Sequence, residues 1–364
     1  MQKKLIIFIP SIEGGGVEKN LFIISNFLKD KIKNLSVITI SNKFKNKFDS
    51  KIKFISFKAN FWNSIGRRKK FLMGLFLLFL EILKDRNVLV FSFQGNVYCT
   101  LLCKLLGIKI IVRSNSAPDG WSQNKFKNFI FKYVLRNADK VIVNSLDFKK
   151  RFKTKFQIHT ECIYNPLNKN EIIKKSKLKN KIKIDKKKLK LINVGRYSDQ
   201  KDQLTLLKAV NRIKDKINFN LLLVGRGAEK EKLIKYIRNN DLSRNVRLID
   251  FQNNPYNLIK SSDIFILSSL YEGLPNVLLE SQVLKKFIIS SDCPTGPREI
   301  LLNGNAGLLF KVGDYIKLSN LILQYYKNKK KLSKKIIIGY KNLNRFDYNQ
   351  NLKKYLNIIN SLIL

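Results

Sequence analysis

The feature that most constrains the fold is an alternation of short apolar runs with amphipathic stretches, which occurs twice along the chain. In the first half, amphipathic stretches such as 16–29, 67–84 and 125–136 predict helices between the apolar runs. The apolar runs themselves predict strands at 5–10, 36–40, 53–57, 88–91, 109–112 and 140–143. Because these runs are continuous rather than alternating, they favour a parallel sheet that helices cover on both faces.

A second series of strands and helices follows a lysine-rich run at 169–190, which we interpret as a solvated linker. Its predicted strands are 189–195, 219–225, 245–250, 263–269 and 287–292. Helices are predicted at 201–216, 228–240, 255–262, 275–285 and 314–328. A chain of 364 residues also exceeds what one core usually supports. We therefore predict an α/β protein with two doubly wound domains, 1–168 and 169–345, and a final helix at 346–364.

The formal net charge of +45 has two explanations. One is attraction to a polyanion such as nucleic acid, anionic lipid or a phosphorylated substrate. The other is codon bias, because Lys, Asn, Ile and Phe are all abundant and all have AT-rich codons. We give codon bias the larger share, so charge alone names no partner.

Several common site classes are disfavoured by the composition. The four cysteines form no CxxC pair and His159 is the single histidine, which argues against a zinc site or a disulfide framework and favours a reducing compartment. The start of the chain has no signal-peptide pattern, and no apolar stretch is long enough to cross a bilayer. We expect no metal and no cofactor.

Strand-end loops are where ligands bind in doubly wound sheets, and four of them stand out. The first, PSIEGGGVEKN, places Gly14, Gly15 and Gly16 before a helix, where backbone N–H groups suit a phosphate, although a flexible turn explains them equally well. The second, NVGRYSDQKDQ, carries Arg196 and Lys201, two cations that suit a diphosphate.

The third and fourth loops add glycines and acids. LLVGRGAEKEKL places Gly225 and Gly227 after a strand, where they fit either close approach to a ligand or a plain turn. In SSLYEGLPNVLLES, we expect Pro275 in the first helical turn, with the N–H groups of Asn276 and Val277 available to an anion. Glu272 and Glu280 then flank this helix start as acceptors for the hydroxyls of a sugar nucleotide.

Taken in order, the glycine loop, GRYSDQKD, GRG, EGLPNVLLE and SDCPTGPREIL closely resemble glycosyltransferase family 4, over nearly the whole chain. The resemblance implies the GT-B fold, in which two Rossmann-like domains face a cleft and the last helix returns to the N-terminal domain. It also implies retaining transfer from a nucleotide sugar, with UDP as the expected nucleotide. SDCPTGPREIL narrows the likeness to bacterial enzymes of surface-polysaccharide and lipid-linked glycan synthesis.

Residue roles follow from the same resemblance. It implies that Arg196 and Lys201 hold the donor diphosphate, that Glu280 accepts from the ribose, and that Glu272 contacts the donor sugar. Gly14 to Gly16 would face the diphosphate. The histidine that many members carry near the donor sugar has no counterpart here, because His159 lies in QIHTECIYNP and is interpreted as structural. In RSNSAPDGW the polar candidates for the cleft and acceptor are Arg113, Asn115 and Asp119.

The segment GRRKKFLMGLFLLFLEILKDR bears on the acceptor. Its cations, Arg67, Arg68, Lys69 and Lys70, precede an apolar stretch that suits an interfacial helix on an anionic membrane, but also a helix packed on the first sheet. We expect a lipid-linked saccharide acceptor at the inner face of the cytoplasmic membrane. The alternatives are a GT-B sugar-nucleotide epimerase and a basic nucleic-acid-binding protein. We expect no nucleic acid as a partner, because nucleic-acid binding would not explain why the four strand-end loops occur together in this order.

Overall fold

The computed structural model describes residues 3–12, 15–57, 61–64, 66–115, 124–179, 182 and 187–363. The chain forms two compact units. Unit 1 comprises Met1–Pro166 and Tyr348–Leu364, and unit 2 comprises Leu167–Asp347.

Unit 1 alternates strands and helices from its start. Its elements are β1 Lys4–Phe8, α1 Gly16–Leu28, β2 Leu35–Ile38, β3 Lys53–Ile55, α2 Phe61–Ser64, α3 Arg67–Lys84, β4 Val88–Ser92, α4 Asn96–Leu105, β5 Lys109–Ser114, α5 Lys125–Arg136, β6 Lys140–Val143, α6 Leu146–Arg151 and β7 Glu161–Cys162. In the described residues the strands form one parallel sheet in the order β3-β2-β1-β4-β5-β6-β7. The sheet is central because its strands are apolar on both faces, as in β4, whose five residues are all buried.

Unit 2 repeats the arrangement. Its elements are α7 Lys169–Ser176, β8 Leu189–Val194, α8 Gln203–Asn211, β9 Phe219–Gly225, α9 Lys230–Asn239, β10 Val246–Asp250, α10 Tyr256–Ser261, β11 Ile264–Leu267, α11 Asn276–Val283, β12 Phe287–Ser291, α12 Pro297–Ile300, β13 Leu308–Phe310 and α13 Tyr315–Lys341. The described strands form a parallel sheet in the order β10-β9-β8-β11-β12-β13. The predicted α/β class with two doubly wound sheets is confirmed.

The last helix, α14 Tyr348–Ile363, belongs to the core of unit 1. Its Leu352, Tyr355 and Ile359 are fully buried and pack in one cluster with residues of β1 and α1. Burial of an aliphatic side chain such as Leu352 or Ile359 stabilises the docked helix by about 1.5–3 kcal/mol. The predicted return of the final helix to the N-terminal domain is confirmed.

The lysine-rich run is not a linker throughout, and that prediction is wrong at its start. Residues 169–176 form α7, whose Ile172 is 3% exposed and which packs against α10 and α11. Asn254 Nδ2 donates to the Lys175 carbonyl at 2.9 Å, and Asn257 Nδ2 donates to the Leu178 carbonyl at 3.3 Å. The lysines therefore lie on the outer face of a helix that packs against the rest of unit 2.

Candidate active site at the strand ends of unit 2

The strand order of unit 2 reverses between β8 and β11, which are neighbours in the sheet. Connections leave these two strands in opposite directions, so their carboxyl ends open a crevice where doubly wound sheets bind ligands. The loop after β8 carries Arg196 and Lys201, and the loop after β11 carries Glu272. The fold therefore brings together three predicted site residues that lie up to 76 positions apart in the sequence (272 − 196).

Lys201 and Glu272 form an ion pair at the centre of this crevice. Lys201 Nζ lies 2.5 Å from Glu272 Oε1, and the two side chains are only 17% and 7% exposed. The same carboxylate oxygen accepts a hydrogen bond from Ser269 Oγ at 2.6 Å, and Thr295 Oγ1 donates to the Glu272 carbonyl at 2.5 Å. Because an ammonium has three donors, the pair leaves Lys201 able to donate to a ligand as well.

Hydrogen bonds join the two loops that carry this pair. The Leu270 amide donates to the Gln200 carbonyl at 2.8 Å, and Gln200 Nε2 donates to the Tyr271 carbonyl at 3.0 Å. Ser268 Oγ donates to the Lys201 carbonyl at 3.1 Å. These bonds fix the backbone on both sides of the ion pair, so the two charges are preorganised.

Two buried amides support the crevice from below, and the sequence analysis missed both. Asn193 Nδ2 donates to the Ile266 carbonyl at 2.8 Å, which joins β8 to β11. Gln203 Nε2 donates to the Arg196 carbonyl at 2.9 Å and approaches Asn193 Oδ1 at 3.4 Å. A polar Asn inside the apolar run LKLINV was the signal that could have revealed them.

Arg196 is the exposed cation of this crevice. Its carbonyl is held by Gln203, but its guanidinium is exposed and has no hydrogen-bond or ion-pair partner among the residues that the structure describes. An exposed guanidinium offers five donors in a planar fork, which matches two phosphate oxygens.

Gly225 and Gly227 make close contacts within the chain, as the plain-turn alternative requires, and their proposed approach to a ligand stays a prediction. A Cβ on Gly225 would lie 1.9 Å from the Gly195 carbonyl oxygen, and one on Gly227 would lie 2.1 Å from the Tyr197 carbonyl oxygen. Gly227 also has a φ of +154°. The two glycines let the loop after β8 pack directly on the loop after β9.

Tyr197 fixes the loop after β8 from inside the core. It is fully buried, and its hydroxyl donates to the carbonyls of Leu223 at 2.7 Å and Ile249 at 2.9 Å. Burial raises the pKa of this hydroxyl well above its usual value. Tyr197 therefore stays neutral and serves as an anchor for the loop that carries Arg196.

Helix α11 begins one residue later than the sequence predicted. Pro275 is its N-cap, with extended backbone angles of φ −70° and ψ 104°, and Asn276 and Val277 are the first two helical residues. Proline offers no side-chain cap for the first turn. Glu280 follows on the same helix, 7% exposed, and accepts a hydrogen bond from Tyr256 Oη of α10 at 3.4 Å.

The motif SDCPTGPREIL supports the start of the loop that carries Glu272. A Cβ on Gly296, which has a φ of +85°, would lie 2.0 Å from the Gly273 carbonyl oxygen, so only glycine permits this packing. Burial and the negative charge of Glu272 raise the pKa of the Cys293 thiol to about 12. Cys293 is thus a neutral packing residue beside the ion pair.

In unit 1, the first glycine loop is used differently from the prediction. Gly14 lies outside the described residues. The Gly15 amide donates to Glu18 Oε2 at 2.9 Å, and Gly16 is the first residue of α1. The amide predicted for a phosphate is therefore satisfied by a glutamate of its own helix, as in a capping box.

Arg113 lies in the interior of unit 1, whereas the prediction placed it at the cleft as an acceptor candidate. Its side chain is fully buried; Nε donates to Tyr355 Oη at 2.9 Å and Nη2 donates to Asn165 Oδ1 at 2.8 Å. Nη1 donates to Asn115 Oδ1, and Asn115 Nδ2 in turn donates to the Phe93 carbonyl at 3.0 Å. Arg113 and Asn115 therefore bind β5 to α14, while Asp119 lies outside the described residues.

The basic cluster at the start of α3 is only partly on the surface. Arg67 opens the helix, Arg68 and Lys69 are exposed, and Lys70 is 9% exposed and thus buried. Leu78 and Ile82 of α3 pack in a core cluster of unit 1, as the predicted alternative of sheet packing requires. In the part of the chain that the structure describes, no helix combines the length and hydropathy needed to span a membrane.

His159 lies just before β7, at the amino end of that strand. Ligands in doubly wound sheets bind at the carboxyl ends instead. Within the described ranges, no group of three or more His, Cys, Asp and Glu side chains is arranged to hold a metal ion.

Comparisons with known proteins find a matching family and several relatives. Residues 174–342 match the family described as glycosyl transferases group 1. An uncharacterized glycosyltransferase of Methanocaldococcus jannaschii is 37% identical over 197 residues, which span 51% of this chain and 48% of that relative. In Campylobacter jejuni, N-acetylgalactosamine-N,N'-diacetylbacillosaminyl-diphospho-undecaprenol 4-alpha-N-acetylgalactosaminyltransferase is 26% identical over 85% of this chain and 86% of its own length.

Among solved structures, Anabaena HepE in complex with UDP superposes with a TM-score of 0.79 at 17% identity, covering 99% of this chain and 100% of that one. This likeness concerns the fold. The family match lies within unit 2, where the ion pair, the free arginine and the fastened loops also lie. The chain therefore matches the group 1 glycosyl transferases over residues 174–342 and has the GT-B fold.

Proposed function

We propose that the protein transfers a hexose or N-acetylhexosamine from a nucleotide sugar, most simply a UDP-sugar, to a lipid-linked or glycan acceptor, with retention of anomeric configuration. The observation that carries this proposal is the buried Lys201–Glu272 pair in the same crevice as the unpartnered Arg196 guanidinium. The acceptor places the enzyme in the assembly of a bacterial surface glycan, peripherally at the inner face of the cytoplasmic membrane.

The chemistry of the crevice suits a departing nucleoside diphosphate. Negative charge develops on the diphosphate as the glycosidic bond breaks, and fixed cations stabilise it most when they need not reorganise. In the proposal, Arg196 binds the diphosphate with its free fork, and Lys201 adds a second charge from its fixed position against Glu272. The start of α11 is proposed to add the positive end of its helix dipole. We propose that these groups suffice without a metal.

In this proposal the two glutamates accept hydrogen bonds from hydroxyl groups on either side of the diphosphate. Glu272 is held by Lys201 and Ser269, and a sugar hydroxyl donating to this carboxylate would be oriented by both. Glu280, whose partner Tyr256 is 8% exposed, is proposed to accept from the ribose. A carboxylate that is already hydrogen-bonded presents its remaining lone pairs in fixed directions.

For a reaction that retains configuration, we assign no residue as the nucleophile of a double displacement. Glu272 is engaged by an ammonium and a hydroxyl, which lowers its nucleophilicity. We therefore propose a front-face reaction, in which the leaving phosphate oxygen takes the proton of the acceptor hydroxyl. Cleaving the bond between sugar and diphosphate and forming the new one on the same face balances the step without another reactant.

Two relatives support the choice of substrates. HepE was solved in complex with UDP, and the printed name of the C. jejuni relative describes transfer to a diphospho-undecaprenol-linked saccharide. A UDP-sugar and a lipid-linked acceptor are the corresponding proposals for this chain.

Thermal shift with UDP, GDP and ADP tests the donor. We expect UDP to raise the melting temperature most, and we expect Arg196→Met to remove most of this shift while leaving the melting temperature of the free protein unchanged. Sugar-nucleotide hydrolysis across a panel of donors then names the sugar. The proposal is wrong if no nucleoside diphosphate stabilises the protein, or if the product has the inverted configuration.

A further inference from the structure

Helix α5 exposes the apolar stripe that an amphipathic helix normally buries. Phe126, Phe129, Ile130 and Tyr133 are 72%, 65%, 40% and 67% exposed. Their spacing of i, i+3, i+4 and i+7 places them on one face of the helix. We name this face the α5 stripe.

A basic row follows one side of the α5 stripe. Lys125, Lys132 and Arg136 recur at spacings of seven and four, which places them along one edge of the stripe, and α5 contains no Asp or Glu. Lys132 Nζ and Arg136 Nη2 donate to Gln157 Oε1 at 3.2 and 3.0 Å, so both lie against the body of unit 1. Long basic side chains beside exposed aromatic rings are the composition of an interfacial helix.

The neighbouring helix extends the apolar surface. In α4, which packs against α5, Tyr98, Leu101 and Leu105 are 53%, 47% and 76% exposed and share one helix face. Helix α4 contains no acidic residue either. Adjacent helices of unit 1 thus each leave an apolar face exposed, and neighbouring exposed apolar faces commonly mark interaction sites.

We propose that the α5 stripe lies in the boundary between headgroups and acyl chains of an anionic bilayer, with its basic row on the lipid phosphates. Charge selects this occupant, since a second copy docked on the same face would set one basic row against another. The proposal deepens the proposed function and rests on it in one respect: a lipid-linked acceptor would lie in that bilayer. It moves the membrane contact from the start of α3, where Lys70 is buried, to α5.

Vesicle flotation of the full-length protein tests the proposal. We expect binding to phosphatidylcholine vesicles that contain phosphatidylglycerol, and little binding to phosphatidylcholine alone. Both Phe129→Ser/Tyr133→Ser and Lys125→Glu/Arg136→Glu should lower the fraction bound on the order of tenfold. Because these side chains are exposed, the variants should fold, which circular dichroism and the melting temperature check.

Matched controls lie on α13 of unit 2. Tyr326 and Ile337 are 52% and 57% exposed, and Lys330 and Lys334 are exposed cations on the same helix. Tyr326→Ser/Ile337→Ser and Lys330→Glu/Lys334→Glu should float as the wild type does. The proposal is overturned if the α5 variants float normally, if the wild type ignores anionic vesicles, or if light scattering shows a dimer that Phe129→Ser/Tyr133→Ser dissociates.

Nucleotide binding separates this proposal from the proposed function. The α5 variants should keep the UDP-induced thermal shift, because α5 belongs to unit 1 and the crevice to unit 2. Vesicle binding without any nucleotide shift in the wild type would contradict only the transferase proposal. A nucleotide shift without vesicle binding would contradict only the membrane surface.

Discussion

The ammonium nitrogen of Lys201 lies 2.5 Å from Oε1 of Glu272, and the two side chains are 17% and 7% exposed. Removing one charge from such a pair leaves the other buried and unpaired. Through this relationship the two residues contribute to the stability of unit 2 as well as to its proposed chemistry, and the two contributions can be separated by experiment.

Lys201→Met should lower the free energy of unfolding by about 3–5 kcal/mol, because it leaves the buried Glu272 carboxylate without its ion-pair partner. Proposed transfer should fall on the order of 10²-fold through the lost charge at the diphosphate. Lys201→Met/Glu272→Gln should recover most of the stability and none of the activity. Urea unfolding and initial rates measure the two effects. Recovery of activity in the double variant would contradict the assignment; Lys230→Met, in the exposed pair with Asp250, is the control and should leave stability nearly unchanged.

Gly225→Ala should destabilise unit 2 by about 1–3 kcal/mol, because its methyl group would collide with the Gly195 carbonyl oxygen. The measurement is the urea midpoint at constant slope. Gly66→Ala is the control, since no atom lies within 4 Å of the added carbon. A loss of nucleotide affinity at unchanged stability would show instead that Gly225 makes room for a ligand.

Arg113→Ala should lower the unfolding free energy by about 3–5 kcal/mol, because it leaves the buried oxygens of Tyr355, Asn165 and Asn115 without their donor. Tyr355→Phe removes one of these bonds and should cost about 1 kcal/mol. Lys109→Ala, at an exposed position of the same strand, is the control. A nearly silent Arg113→Ala would contradict a structural role and return the residue to the list of site candidates.

Alkaline pH should weaken unit 2 through Tyr325. Burial, with the negative charge of Asp263, raises the pKa of this hydroxyl from 10.0 to about 12. A raised acid pKa in the folded state means that the stabilisation is complete below pH 10 and is lost as the pH rises towards 12. Tyr325→Phe should therefore flatten the fall of unfolding free energy above pH 10, by up to about 2 kcal/mol. Tyr326→Phe, 52% exposed, should not; equal pH profiles for all three proteins would contradict the assignment.

The sequence predicted the long central strands and the fold class because continuous apolar runs have few alternatives to a covered parallel strand. It missed β7 and β13, which are edge strands of two and three residues and too short to show a period. It also missed α7, although a signal was present: Asn168 caps this helix by accepting from the Glu171 amide at 3.0 Å. Because the run is so rich in lysine, we interpreted it as a solvated linker and did not recognise Asn168 as a helix cap.

The candidate site was predictable in its residues but not in its pairing. Lys201 and Glu272 are 71 positions apart, and only the neighbouring placement of β8 and β11 brings their loops together. The glycines show a different limit. Gly225 and Gly227 fitted either close approach to a ligand or a plain turn, and the atoms that exclude a side chain there belong to the chain itself. A pattern of glycines indicates that another group comes close to the backbone, but it does not tell whether that group is a ligand or a neighbouring loop of the same chain.

The placement of α14 has a consequence for how the protein is made. Unit 2 is inserted into the sequence of unit 1, and the chain enters and leaves it at adjoining points, where the Leu167 amide donates to the Phe346 carbonyl at 3.0 Å. On the ribosome, unit 2 is complete once Asp347 has emerged. Unit 1 must then wait for Leu352, Tyr355 and Ile359, so the half of the protein that is synthesised first is the last to close its core.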